Sequence, residues 1–183
     1  MIMRLVLAVV AFVGLAWMVP TTSSQAAACN ADYVLAPDHS ALSILFNDLT
    51  VEGSGPSAVD CTIDVPLDLP EGMSLGVYRV DYRGFASLAK KEVATLQVSY
   101  ALGPKGNGRN FKRSVRGAME DDFAFTENIG AGLMKRVGCG DDAHLSGSVS
   151  LTLKGGGESL ATLDSGDGAS RRGLVYRFNL KKC

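Results

Sequence analysis

The sequence predicts an all-β fold, an antiparallel β-sandwich of jelly-roll or Greek-key type. Three observations predict it. Short segments with apolar residues at alternate positions recur from residue 33 to residue 180. Clusters of Gly, Pro, Asn and Asp separate them, as turns require. No segment repeats its apolar residues at the helical period over a useful length.

Residues 1–28 stand apart from that pattern. Arg4 precedes an apolar run over 5–18, Pro20 ends it, and Ala26, Ala27 and Ala28 supply small residues. Basic, apolar and small residues in that order read as a secretory signal peptide. The run is shorter than the roughly 20 residues a membrane helix needs, and no second one follows. The expected product is a single domain over 29–183, a monomer, secreted or periplasmic, with no membrane span after removal of the signal. A lipid anchor on Cys29 would want Leu where Ala26 stands. The chain carries 18 Lys+Arg against 19 Asp+Glu, which excludes the basic footprint of a nucleic-acid binder.

Cys29, Cys61, Cys139 and Cys183 are even in number and, behind a signal peptide, meet an oxidising compartment. None forms the close C-x-x-C pair of a structural zinc site. Two disulfides are expected, out of three connectivities.

In chain order, 33–35 and 41–46 read as a hairpin about Pro37-Asp38, with Leu42, Ile44 and Phe46 on one face. A loop follows at 53–57. Cys61 opens a strand with Ile63, Val65 and Leu67 aligned, and Pro70-Glu71-Gly72 turns it into a hairpin with 75–88. An antiparallel first pair returns the chain to its start, which brings Cys61 towards Cys29. That favours Cys29–Cys61 and, by elimination, Cys139–Cys183, although a simple meander of the last three strands would hold the second pair apart.

Over 75–88, Tyr78, Val80 and Tyr82 share one face and Arg79, Asp81 and Arg83 the other, until Gly84 marks a bulge or a close approach. The strand at 93–102 aligns Leu96, Val98 and Tyr100; 104–108 turns; 111–119 returns. Residues 120–138 show no clear period, so a short helix or a long loop is expected. Leu145, Val149, Leu151 and Leu153 then align, and 155–157 turns into 160–163. A further turn at 164–168 leads to a last strand with Leu174, Tyr176, Phe178 and Leu180 inward. Eight or nine strands are expected in all.

Cys61, the turn at 67–72, Val80-Asp81-Tyr82-Arg83-Gly84-Phe85-Ala86 with Leu88, Cys139-Gly140, Asp164 with Asp167-Gly168, and an aromatic last strand ending at Cys183 form a signature over nearly the whole mature chain. It resembles a secreted family of fungi and bacteria catalogued as domain of unknown function 4360. That resemblance implies a β-rich extracellular domain and no established activity. The chain departs from it in having Trp17, inside the signal, as its one Trp, and few aromatics over 96–102.

Candidate chemistry is sparse. Arg79, Asp81 and Arg83 would project together as an anion or carboxylate site, or equally as Arg–Asp pairs that support the fold. Tyr78, Tyr82 and Tyr100 suit core packing, with a sugar platform as the alternative. Asp164 and Asp167 make half of a calcium loop but lack its remaining ligands. His39 and His144 have no partner at metal-ligand spacing, and no catalytic residue or cofactor is selected. The expected function is a non-catalytic extracellular binding or structural module with a glycan, envelope or protein ligand. The alternatives are a small hydrolase using loop carboxylates, or an inhibitor or effector presenting the loop at 103–108.

Overall fold

The computed structural model describes residues 27–28, 30–55, 57–103, 108–131, 135–163 and 173–183. Two sheets pack face to face, as the alternation predicts. The first has five strands in the order β1 (Ala27–Ala28), β5 (Ala58–Pro66), β11 (His144–Lys154), β7 (Val93–Leu102) and β8 (Arg109–Arg116). The second is built around the long strand β6 (Met73–Leu88). Along one edge of β6 lie β13 (Gly173–Lys182) and then β3 (Ala41–Phe46) and β2 (Ala31–Leu35). The same edge continues through β12 (Leu160–Thr162) to β4 (Thr50–Glu52). The other edge pairs with β9 (Met119–Asn128) and β10 (Arg136–Gly138). Pairing is antiparallel except between β1 and β5.

Alternation sets the core. Leu42, Ile44 and Phe46 of β3, Leu174, Tyr176 and Phe178 of β13, and Val80 and Tyr82 of β6 face Ile63, Val65, Leu96, Val98, Tyr100, Leu145, Val149 and Leu151 of the five-stranded sheet. Each fully buried Leu, Ile, Val or Phe contributes about 1.5–3 kcal/mol.

Four expectations need correction. β5 and β6 do not form a hairpin: they lie in different sheets, and the chain from Leu67 to Gly72 crosses between the layers. Tyr78 does not share a face with Val80 and Tyr82. The register of β6 against β13 slips at this point, Arg177 pairing Arg79 and Phe178 pairing Val77. The extra residue, Tyr78, turns out to solvent at 41% exposure, and the inward parity changes from odd to even numbers. Residues 120–138 hold β9 and β10 in place of a helix or long loop. Thirteen strands appear among the described residues in place of eight or nine, the surplus being pieces as short as β4 and β12.

Gly84 marks a close approach and no bulge. A Cβ there would collide with the Phe123 ring and lie 2.5 Å from the Thr162 carbonyl oxygen. Its pairing with Phe123 in β9 continues the regular ladder.

The disulfide between Cys139 and Cys183 is present, with Cα atoms 5.7 Å apart. The feared meander does not occur, because β13 joins the sheet of β6 while β11 joins the other. The first residues of β6 lie between β10 and the end of β13, Ser74 pairing both Gly138 and Lys181. Cys139 N–H donates to the Met73 carbonyl and Cys183 N–H to the Gly72 carbonyl, so the two thiols meet over that strand. Cys61 is buried and disulfide-bonded. Cys29, its expected partner, lies outside the described residues, as do residues 1–26 of the expected signal peptide and the expected half calcium loop at Asp164 and Asp167. β1 sets Ala27 beside Cys61 and Ala28 beside Thr62.

Closing a loop of 44 residues removes about 4 kcal/mol of unfolded-chain entropy in the loop-closure account. Cys139→Ser with Cys183→Ser is therefore expected to lower the unfolding free energy by roughly 2–4 kcal/mol, with a lower urea midpoint and a steeper slope as the unfolded chain expands.

Candidate functional site

Three places concentrate polar chemistry: the outer face of the eight-stranded sheet, a polar cluster inside the sandwich, and the outer face of the five-stranded sheet.

On the outer face of the eight-stranded sheet the predicted row is only partly assembled. Asp81 stands at the centre and is 3% exposed. Its Oδ1 accepts from Arg79 Nε and Nη2, both at 2.8 Å, and from Thr126 Oγ1 at 2.8 Å. Its Oδ2 accepts from Arg177 Nε at 3.1 Å. Burial pulls the Asp81 carboxyl upward, but the hydrogen bonds from Arg79, Thr126 and Arg177 outweigh it and hold the group below the ordinary aspartate value. Arg79 and Arg177 are directly opposite each other on β6 and β13, each with its side chain 41% exposed. Arg83 faces the same way but lies exposed beyond the cluster, paired in register with Gly173 and Ala124. Asp81 therefore orients two guanidinium groups as expected, with Arg177 in the place expected for Arg83. Alternation places Arg177 outward between Tyr176 and Phe178; its meeting with Asp81 depends on the order of strands.

Inside the sandwich, Glu127 of β9 gathers donors from both sheets. Tyr82 Oη and Tyr100 Oη donate to its Oε2 at 2.9 and 3.1 Å. Arg109 donates to Oε1 through Nε at 3.0 Å and Nη2 at 2.8 Å. Tyr82 stacks on Phe111 with centroids 4.0 Å apart, and Tyr100 meets Tyr176 edge-on at 5.2 Å. Tyr176 Oη is buried without a hydrogen-bond partner. Gly147 pairs with Tyr100 across the ladder, and a Cβ there would collide with the Ser99 carbonyl oxygen and stand 3.2 Å from the tyrosine Cα and Cβ, so glycine lets β7 approach closely. Tyr82 and Tyr100 thus belong to the core, and no platform with the exposed Tyr78 forms. A cavity of about 30 Å³ beside Tyr100, Arg109, Ile129 and Lys135 has room for about one or two waters. Neither Glu127 nor Arg109 was singled out by the sequence reading. Phe123, Phe125 and Glu127 sit at strand period, and that spacing is the signal that turns a carboxylate inward.

The outer face of the five-stranded sheet is built from short hydroxyls. With Leu145, Val149, Leu151 and Leu153 inward, β11 presents Ser146, Ser148, Ser150 and Thr152. β7 sets Ala101, Ser99, Gln97 and Thr95 against them in register. Asn110, Lys112 and Ser114 of β8 extend the rows on one side, and Asp64, Thr62 and Asp60 of β5 on the other. Ser99 and Ser148 hydroxyls are 2.7 Å apart, and those of Thr95 and Ser114 2.8 Å.

The remaining candidates do not assemble. His39 Nε2 lies 2.6 Å from the Asp68 carbonyl oxygen. His144 lines an open groove of about 650 Å³ beside Cys139, with Asp68, Glu71, Asp141 and Asp142; all four acids are exposed. Among the described residues no group of three or more His, Cys, Asp or Glu side chains is placed to hold a metal ion, and no helix is long and apolar enough to cross a membrane.

A family model described as domain of unknown function DUF4360 matches residues 27–183, and the chain belongs to that family. No curated protein sequence matches. Among solved structures, TmCBM61 in complex with beta-1,4-galactotriose is similar at 18% identity, over 84% of this chain and 82% of that one, with a TM-score of 0.31. The T13 infectious bursal disease virus particle is similar at 14% identity over 94% of this chain and 40% of that one, TM-score 0.34. A CBM4 structure is similar at 12% identity over 85% and 79%, TM-score 0.25. At these scores the likenesses carry no argument about ligands.

The interior cluster makes two predictions. Burial is the main cause that pushes the Tyr82, Tyr100 and Tyr176 hydroxyls above the ordinary tyrosine value. The folded state keeps three protons that the unfolded chain releases near pH 10. Stability is thus full below pH 10 and falls above it, by about 1.4 kcal/mol per pH unit for each tyrosine, which chemical denaturation across pH 9–12 will show. Tyr82→Phe removes a donor from Glu127 and is expected to cost about 1–2 kcal/mol, whereas Tyr176→Phe deletes an unpaired hydroxyl and is expected to be neutral or stabilising. Equal losses in the two variants would contradict this assignment.

Proposed function

We propose that the domain is a secreted, monomeric, non-catalytic binding module whose ligand is a hydroxyl-rich glycan lying flat on the outer face of the five-stranded sheet. The supporting observation is the composition of that face. On its two central strands every outward residue from Thr95 to Ala101 and from Ser146 to Thr152 is Ser, Thr, Gln or Ala. Strand stability does not ask for this, since β-branched and aromatic residues are favoured in strands and only Thr95 and Thr152 among these are of that kind. Short hydroxyls each donate one hydrogen bond and accept two, and they lose little rotamer freedom on contact. Strands about 4.8 Å apart and same-face residues about 6.7 Å apart give a flat polar lattice. Charge lies at the margins, at Asp60 and Asp64 on one side, Lys112 and Arg116 on the other, and Lys154 at the end of β11.

The groove beside Cys139 is where a hydrolase reading would sit. A general acid needs a carboxyl raised by burial, and Asp68, Glu71, Asp141 and Asp142 are exposed. Of the loop at 103–108 that an effector would present, residues 104–107 lie outside the described residues.

Affinity electrophoresis through gels of neutral polysaccharides tests the proposal. Retardation by at least one is expected, without release of new reducing ends. Ser99→Arg with Ser148→Arg raises a charged ridge across the face. It is expected to weaken binding at least about tenfold while shifting stability by no more than about 0.5 kcal/mol. Full retention by that variant, or cleavage of the polymer, would overturn the reading.

A further inference from the structure

We infer that the outer face of the eight-stranded sheet carries a second, independent site, an oxyanion clamp formed by Arg79 and Arg177 and positioned by Asp81. A surface arginine has a flexible stem and pays entropy when it is fixed on a ligand. Here that ordering is built in. The Asp81 carboxylate, 3% exposed, takes the Nε of both arginines at 2.8 and 3.1 Å. Thr126 Oγ1 braces the same carboxylate at 2.8 Å.

Both side chains remain 41% exposed. Arg177 keeps its two Nη groups and Arg79 its Nη1 without a partner among the described residues. Planar N–H forks match carboxylate and sulfate oxygens in a way that ammonium groups do not. One carboxylate between two guanidinium groups leaves the cluster positive, so the group that completes it is an anion.

The wider face favours a polymer over a lone ion. Arg83 projects from the same face of β6 four residues from Arg79, about 13 Å along the strand, and it is exposed. A third positive group in line suits a chain that repeats its negative charges. Val175 sits beside Asp81 in the register and gives the row a flat apolar neighbour. The acids on this face stand away from the cluster: Asp122 and Glu120 lie beyond Arg83, opposite Phe85 and Ser87, and Asp32 and Glu52 sit on β2 and β4. The structure therefore assigns to this site an acidic glycan that bears carboxylate or sulfate groups.

Binding of the mature chain to polygalacturonate, to dextran sulfate and to uncharged dextran tests the assignment. One or both charged polymers are expected to bind and dextran is not; which of the two binds identifies the oxyanion. Arg79→Ala and Arg177→Ala should each weaken binding about tenfold, and Arg177→Lys should fail to restore it. Asp81→Asn supplies the sharper readout: it adds positive charge yet should weaken binding, because it releases the two forks. Thr126→Val, which leaves the charges alone, should weaken binding less and in the same direction. Tighter binding by Asp81→Asn that is also folded would show attraction without a built site and overturn the clamp. Unchanged binding in both arginine variants, or no binding to either charged polymer, would do the same. Neither result bears on the hydroxyl face, which is probed by neutral polymers.

Discussion

The structure depends on one largely buried carboxylate, its side chain 11% exposed. Glu127 lies between the sheets and draws its donors from three other strands, Tyr82 on β6, Tyr100 on β7 and Arg109 on β8. β6 belongs to one sheet and β7 and β8 to the other, so the cluster ties the layers with directed bonds where the rest of the core offers only packing. A charge in such a place is tolerated only when paired and hydrogen-bonded. Arg109, at the edge of its sheet, brings the positive charge in while part of its side chain stays wet. Phe111, two residues on, stacks on Tyr82 and closes the apolar wall over it.

The same backbone serves the outer face. Along β6, Tyr82 points in and Asp81, the residue before it, points out. Along β9, Glu127 points in and Thr126 points out. The register pairs Asp81 with Thr126 and Tyr82 with Phe125. Whatever fixes Glu127 against Tyr82 therefore also fixes Thr126 against Asp81, and so the aim of Arg79 and Arg177. The inner clasp and the outer clamp are two faces of one two-strand ladder.

Much of this was legible in the chain. Period two found the core faces of β3, β7, β11 and β13 residue by residue, because half-buried strands write their environment into every second position. It failed where pairing, and not local pattern, decides. The bulge at Tyr78 reverses parity, and a string of residues looks the same with or without one. Pro70-Glu71-Gly72 signals that the chain reverses but does not say which strand it will join, and the connection from Leu67 to Gly72 is longer than the commonest hairpin loops. Glu120, Asp121 and Asp122 disguised β9, since charged residues on a sheet edge guard it against further pairing and lower its apparent strand character. Asp81 belongs to the row that the strand period reads out. Arg177 stands 96 residues away in sequence, and only the placing of β13 against β6 brings it there.

Glu127 and Asp81 are both placed to orient their donors. A general acid or base needs lone pairs or a proton within reach of a substrate. Glu127 has both oxygens occupied, by two hydroxyls and a guanidinium, and Asp81 has both occupied, by two guanidinium groups and a hydroxyl. Groups saturated in this way gain little by changing protonation, and what they do well is orient their donors. In the interior that orientation locks the layers. On the surface it leaves the outer edges of Arg79 and Arg177 preset, and the proposed clamp rests on that ordering. The hydroxyl face follows the same logic by another route, with side chains so short that little ordering is left to do.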